Sequence, residues 1–220
     1  MEWAPLLLSF KVAVVATALA AVLGIGVAAL LASRRFPGRD LLDVLVTAPM
    51  VLPPTVLGYY VLVVVGRRSG IGKAYEALFG SSIVFTQTGA VIAAMIGALP
   101  LVLKAARAAL ESVDPTLVKA ARTLGAGPWR AFFAVKLPLA ANGLVAGLML
   151  GFARALGDFG VTLMVAGDIP GETQTASLAI YDAIQANQQG RAAGMIAVLT
   201  AVAIAVLYAT NKLTRKPDAR

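Results

Sequence analysis

Five long stretches of this chain carry no charged side chain. Val12 to Ser33 is 22 residues long, Val44 to Gly66 is 23 and Ala77 to Leu103 is 27. Leu137 to Ala153 adds 17, and Ala192 to Asn211 adds 20. An α-helix rises about 1.5 Å per residue, so roughly 20 apolar residues cross a bilayer core of about 30 Å. The expected fold is therefore an all-α polytopic membrane protein with about five transmembrane helices, near 10–33, 41–66, 83–104, 137–160 and 190–211. Only 14% of the residues are charged, against roughly 25% in soluble domains. That is too little polar surface to cover a soluble core, and 1–220 reads as a single transmembrane domain.

The chain has no His and no Cys, which excludes disulfides, thiolate nucleophiles, Cys/His zinc sites and imidazole relays. A net charge of +8 would suggest nucleic acid in a soluble protein. Here the basic residues sit at the ends of apolar runs, so the partner they imply is the lipid bilayer. Met1 to Phe10 has no basic segment, and Arg34 and Arg35 follow the first apolar run instead of preceding it. That order predicts an uncleaved first span. Segments 34–43, 104–138 and 212–220 hold thirteen Lys and Arg, whereas 1–10, 67–76 and 158–191 hold four. The positive-inside bias puts the first set, including the basic tail 212–220, in the cytoplasm, with the N-terminus outside and the C-terminus inside. Arg67, Arg68 and Lys73 run against the rule.

The spans are not inert anchors. The second contains Pro49, Pro53 and Pro54, with Thr55 and Gly58 just beyond. A proline in a helix interior costs about 3 kcal/mol or more. At membrane depth such a break sits in protein or lines a wet cavity, so Pro53–Thr55 is either a packing kink or part of a pathway. Gly24, Gly26 and Ala28 in the first span, and Gly143, Gly147 and Gly151 in the fourth, predict faces that let helices approach closely. The fourth also holds Arg154 and Asp158. An arginine near a span centre costs about 2.5–3.5 kcal/mol, and each Leu, Val or Phe returns about 0.3–0.6. Eight such residues between Leu137 and Leu156 return roughly 2.4–4.8 kcal/mol. With so thin a margin Arg154 cannot face lipid; it belongs in the bundle interior or near the outer interface. Asp158 follows by one turn, so the two form an i,i+4 ion pair, line an anion route, or do both.

Residues 111–138 form the longest cytoplasmic segment. Asp114–Pro115 is a helix start, with Asp as cap and Pro in the first turn. Gly125 ends that helix, and Gly127–Pro128 opens a second one that runs through Lys136. Two short helices joined at a glycine make a compact knob suited to a groove on a cytoplasmic partner.

The knob's spacing resembles the coupling motif of binding-protein-dependent ABC importer permeases, which reads Glu-Ala-Ala, three residues, Gly, nine residues, Ile-x-Leu-Pro. Here it is Lys119-Ala120-Ala121, Gly125, then Val135-Lys136-Leu137-Pro138. Lys119 reverses the charge of the family's Glu, and Val135 replaces Ile. The run from Phe152 to Thr162 and that from Ala166 to Thr175 resemble the molybdate branch, with Asp158 for its Glu and Asp168 for its Asn. Leu52 to Tyr60 and Phe85-Thr86 fit the same branch, and sulfate permeases share much of the pattern.

The resemblance implies a type I importer permease fold in a bacterial or archaeal cytoplasmic membrane. It implies a homodimer, two cytoplasmic ABC ATPase subunits and an extracytoplasmic oxyanion-binding protein. It assigns ATPase coupling to Lys119, Ala120, Ala121, Gly125, Val135, Leu137 and Pro138. Around Gly66–Lys73 the glycine spacing does not fit a phosphate-binding loop, so ATP and Mg are expected on the partner ATPase and no cofactor on this chain. Candidate path residues are Pro53, Pro54, Thr55, Arg154, Asp158 and Thr162. Asp168, Glu172 and Asp182, in the outer loop 167–186, either dock the binding protein or form a solvated acidic surface. The expected function is molybdate import by alternating access, with sulfate or tungstate as the alternative anion. An ion-coupled secondary transporter would need more intramembrane ionisable groups, and an inert scaffold would not need the coupling spacing.

Overall fold

The computed structural model of the protein describes residues 3–33 and 36–214. Arg34, Arg35, Arg215, Lys216 and Arg220, which contribute to the orientation argument, lie outside them. α1 (Trp3–Ser33) is a continuous apolar helix of 31 residues. α2 (Arg39–Thr47) and a 3₁₀ turn (Ala48–Met50) lead to a break at Val51–Pro53. The chain then bends by 115° into α3 (Pro54–Val65). α4 (Gly70–Phe79) is a short surface helix, capped by the Ser69 hydroxyl, which accepts from the Gly72 N–H at 2.8 Å. α5 (Gln87–Glu111) runs directly into the segment 112–138, where α6 (Pro115–Thr123) and α7 (Pro128–Ala131) form the knob. A π turn (Phe132–Lys136) and α8 (Leu137–Leu139) lead through a 71° bend into α9 (Ala141–Leu156). α10 (Gly160–Ala166), α11 (Ala176–Gln185) and α12 (Gln189–Thr214) complete the chain.

Among the described residues, α1, α5 and α12 are long and apolar enough to cross a membrane, and counting each bent pair as one span gives five. Two expected spans differ in form. The run 41–66 is two short helices, and α3, at 12 residues, is only about 18 Å long. The run 137–160 is bent before Ala141 and stops being helical at Leu156. Pro138 and the π turn interrupt its start, and Gly157 and Gly160 flank its end.

α5 is the hub. Over half of its most apolar stretch is buried, against about a tenth for α12. Its Ala90, Ala94, Ala98 and Val102 pack between Val12, Ala13, Ala16 and Ala20 of α1 and Ala155 and Leu156 of α9. Alanine on every side lets three backbones approach closely, so dispersion contacts hold the bundle where lipid offers no hydrophobic gain. The pairs run in register. A β-carbon on Gly143 would lie 2.7 Å from Ala109 Cβ, one on Gly147 2.5 Å from Ala105 Cβ, and one on Gly151 2.5 Å from Val102 Cγ2. α9 is therefore antiparallel to α5. Gly24 approaches the same Val102 from α1, whereas Gly26 faces open space.

The expected outer end is joined by a buried bond between distant segments. The Ala176 N–H at the start of α11 donates to Ser9 Oγ of α1 at 2.7 Å, in place of a cap from Thr175. Ser9→Ala leaves that amide buried without an acceptor, which costs about 1–3 kcal/mol. The expected outcome is a lower Tm of the purified protein in detergent, with Ser9→Thr falling less; equal melting of Ser9→Ala and the parent would refute the assignment.

Candidate functional site

Arg154 and Asp158 meet where α9 ends. Arg154 Nη1 donates to Asp158 Oδ1 at 2.9 Å, so the spacing of four does make the ion pair. Asp158 is not on the helix face, however; it lies in the break between α9 and α10. Its Oδ2 accepts from the Thr162 N–H at 3.0 Å and from Thr162 Oγ1 at 2.7 Å. One buried carboxylate thus caps the first turn of α10 while holding an arginine from α9. Both groups sit beside Gly97 of α5, ten residues from Gln87 and about 15 Å along the axis. The pair therefore lies about midway along α5, away from both of its ends.

The second break is brought to the same place. α10 packs on α3 so closely that a β-carbon on Gly160 would lie 2.7 Å from Pro54 Cβ, and one on Gly58 2.7 Å from Met164 Cβ. Pro54 is thus two residues from Asp158 along this contact. Pro53, Pro54 and Thr55 are exposed, as is Gly157. Of the six path candidates, Asp158 and Thr162 are buried and hydrogen-bonded, Arg154 is part-exposed, and the Pro53–Thr55 turn forms an open wall beside them. Exposed backbone at membrane depth fits a wet or protein-covered surface and not lipid.

The knob follows its local code closely. Asp114 Oδ1 accepts from the Thr116 N–H at 2.8 Å. That hydrogen bond, with a second from the Thr116 side chain, holds the Asp114 carboxyl below its ordinary value. At the other end Gly125 has φ +87°. The Gly125 N–H donates to Arg122 O at 3.1 Å, and the Ala126 N–H donates to Ala121 O at 3.0 Å. These two bonds and the left-handed glycine are a Schellman ending. Lys119, Ala120, Gly125 and Pro138 are exposed, and Ala121, Val135 and Leu137 are half-buried. Leu124, Trp129 and Phe133 stand far out from the surface, the two rings stacked 6.2 Å apart. On the inner side Val118, Phe132 and Leu137 pack on Ala28, Ala106, Ala109 and Val113. The knob is therefore wedged against α1 and α5, not hung on a flexible loop.

Beside the knob lies a charge cluster that the sequence reading did not single out. Asp43 of α2 holds Lys104 at 3.0 Å and Arg107 at 2.9 Å, both from α5. Arg107 also holds Glu111 at 2.9 Å, and Arg39 reaches Glu111 at 3.9 Å. The cluster ties the leading half of the first bent pair to the C-terminal end of α5. Lys104, Arg107 and Glu111 at spacings of three and four, on one helix face, are the signal that would have found half of it.

The acidic outer residues are less uniform than a solvated loop. Glu172 and Asp182 are exposed, but Asp168 is half-buried. Burial pushes the Asp168 carboxyl above its ordinary value; Gln174 opposes this by hydrogen bonding, and the neighbouring Asp182 charge adds to it. Gln174 Nε2 also donates to Asp182 Oδ2 at 3.0 Å. Glu172 joins the surface differently: its carbonyl accepts from Gln87 Nε2 at 3.2 Å, and Gln87 Oε1 accepts from Lys11 Nζ at 2.8 Å. Among the described residues no group of three or more Asp or Glu is placed to hold a metal ion.

Comparison with known proteins gives a consistent picture. Residues 20–215 match the family described as binding-protein-dependent transport system inner membrane component. The chain is 44% identical over 215 residues to the molybdenum transport system permease protein ModB of Escherichia coli K12, covering 97% of this chain and 94% of that one. It is 34% identical over 201 residues to the sulfate transport system permease protein CysT of the same organism, covering 91% and 72%. In fold it resembles a chain of the inward-facing MetNI methionine ABC transporter, with a TM-score of 0.69 at 18% identity, covering 96% of this chain and 95% of that one.

Proposed function

The chain belongs to the family of binding-protein-dependent transport system inner membrane components, and from that premise we propose that it is the membrane-spanning subunit of an ATP-driven molybdate importer. It works in a transporter complex with an ATPase and a binding protein. Molybdate is favoured over sulfate by identity, 44% to the molybdenum permease against 34% to the sulfate permease. The observation that carries the coupling role is the knob. Its Schellman-ended helix and exposed Leu124, Trp129 and Phe133 offer a rigid apolar prow to a cytoplasmic partner, and its inner side rests on α1 and α5.

In this reading two copies of the chain pair in the cytoplasmic membrane, each with its N-terminus outside and C-terminus inside, and two ABC ATPase subunits hold the knobs. ATP and Mg act on those subunits. Their closure moves α6 and α7, and the wedge transmits the motion to α5 while the Asp43 cluster carries α2 along. The breaks at Pro53–Thr55 and Asp158 then rock against each other so that the site opens alternately to the two sides. Asp168, Glu172 and Asp182 lie at the outer end, where the oxyanion-binding protein docks.

The test is molybdenum uptake into proteoliposomes holding the permease–ATPase complex and its binding protein. We expect uptake only with ATP on the ATPase side, displaced by excess tungstate but not by equal sulfate. Uptake that persisted without ATP and collapsed with an ion gradient would reject an ATP-driven importer. Preference for sulfate would reject the anion.

A further inference from the structure

The ion pair midway along α5 is asymmetric. Asp158 is only 3% exposed, and three donors already use both of its oxygens. The Arg154 side chain is 37% exposed, and among the described residues its one hydrogen bond to the protein is the one to Asp158. A guanidinium has five N–H donors in a rigid fork, so one edge is tied and the other is open. Gly97 fixes the height of that fork. A β-carbon there would come within 3.2 Å of Arg154 Nη2, 3.4 Å of Cζ and 3.4 Å of Asp158 Oδ1, so both charged groups are seated against bare helix backbone. Pro54, pressed on Gly160, walls the neighbouring side.

An open arginine alone at this depth would be a strong anion trap, because charge-assisted, bidentate contacts to an oxyanion strengthen as water is excluded. A conduction route needs a contact weak enough to leave. We infer that Asp158 is a charge-tuning residue for the translocated oxyanion. It neutralises one edge of Arg154, so that the free edge gives the anion a brief contact, and the bare backbone at Gly97 sets how far the fork reaches. This rests on the proposed import function; Arg154 is the group that touches the anion, and Asp158 and Gly97 act through it.

Asp158→Asn is the direct test, since Asn keeps an acceptor for Thr162 and removes the charge together with the acceptor that ties Arg154. Molybdate retained by the purified permease–ATPase complex without binding protein is measured beside the maximal uptake rate in proteoliposomes. In Asp158→Asn we expect retention to tighten about tenfold and the maximal rate to fall by a similar factor. Arg154→Gln should lose retention, and Asp158→Glu should restore both values. Gly97→Ala, which lifts the fork away from its seat, should shift retention in the same direction as Asp158→Asn by a smaller factor. It supplies the answer if Asp158→Asn does not assemble. Unchanged or weaker retention in Asp158→Asn, or in Gly97→Ala where that variant decides, overturns the tuning role. Failure of the import reading looks different, because it shows in the parent complex itself, as molybdate uptake that is absent, independent of ATP or outcompeted by equal sulfate.

Discussion

Gly147→Ala should lower the Tm of the complex clearly, and Gly147→Leu should prevent it from accumulating in folded form, whereas Gly26→Ala should leave it unchanged or slightly raised. The three substitutions separate close packing from helix propensity. A β-carbon at Gly147 would stand 2.5 Å from Ala105 Cβ, and alanine has no rotamer by which to yield, so the backbones of α5 and α9 must part. Overpacking of this kind costs about 1–3 kcal/mol for one carbon and more for a larger side chain. Gly151 is nearly as constrained. Its obstacle, Val102 Cγ2, belongs to a fully buried, β-branched side chain that lies between α9 and Gly24 of α1, so the valine has little room to swing away. Gly26 meets nothing within 4 Å, and there alanine gains a few tenths to about 1 kcal/mol in helix preference. If Gly26→Ala and Gly147→Ala melted alike in detergent, the α5–α9 seam would not be the element that holds the bundle.

Most of this architecture was legible in the chain, but unevenly. The knob was readable because its instructions are local: Asp114 caps the helix that follows it through an N–H two residues on, and Gly125 ends a helix through bonds spanning at most five residues. The small-residue face of the fourth span was readable for the same reason, since a spacing of four marks one side of a helix. Its partner, Ala98 to Ala109 of α5, was not, because alanines in an apolar run give no periodic contrast. The prolines announced a break near Pro53 but not a turn of 115°, which goes with the close contact of α3 and α10, where Gly58 lies against Met164 and Gly160 against Pro54. Asp158 was placed on the helix because spacing alone cannot distinguish a helical i,i+4 pair from a cap just past the end; Gly157 and Gly160 were the available warning. The Asp43 cluster joins residues 61 and 64 positions apart, and no local pattern encodes that pairing. Asp168 read as a docking residue or a solvated loop charge, both exposed, yet it is half-buried beside Gln174 and Asp182 of α11.

The knob's ending makes the second large effect separable from simple damage. Gly125→Val in the assembled complex should abolish transport-coupled ATPase stimulation while each subunit still folds, and Gly125→Asn should retain most of it. Space is not the obstacle, because a β-carbon at Gly125 would meet nothing within 4 Å. The obstacle is φ +87°, where a β-branched residue is strained by roughly 1–3 kcal/mol and asparagine by much less. Valine would escape by turning the backbone to negative φ, which breaks the Gly125-to-Arg122 and Ala126-to-Ala121 bonds and swings α7 relative to α6. Leu124, Trp129 and Phe133 would then no longer share one prow, while Val118 and Phe132 would lose their joint seat on α5. Motion arriving from the ATPase would be absorbed at the joint before it reached the bundle. The comparison with asparagine is decisive. If Asn and Val uncouple equally, the bare surface of glycine matters and not its conformation; if neither uncouples, force enters the bundle elsewhere, and the Asp43 cluster is the next place to cut.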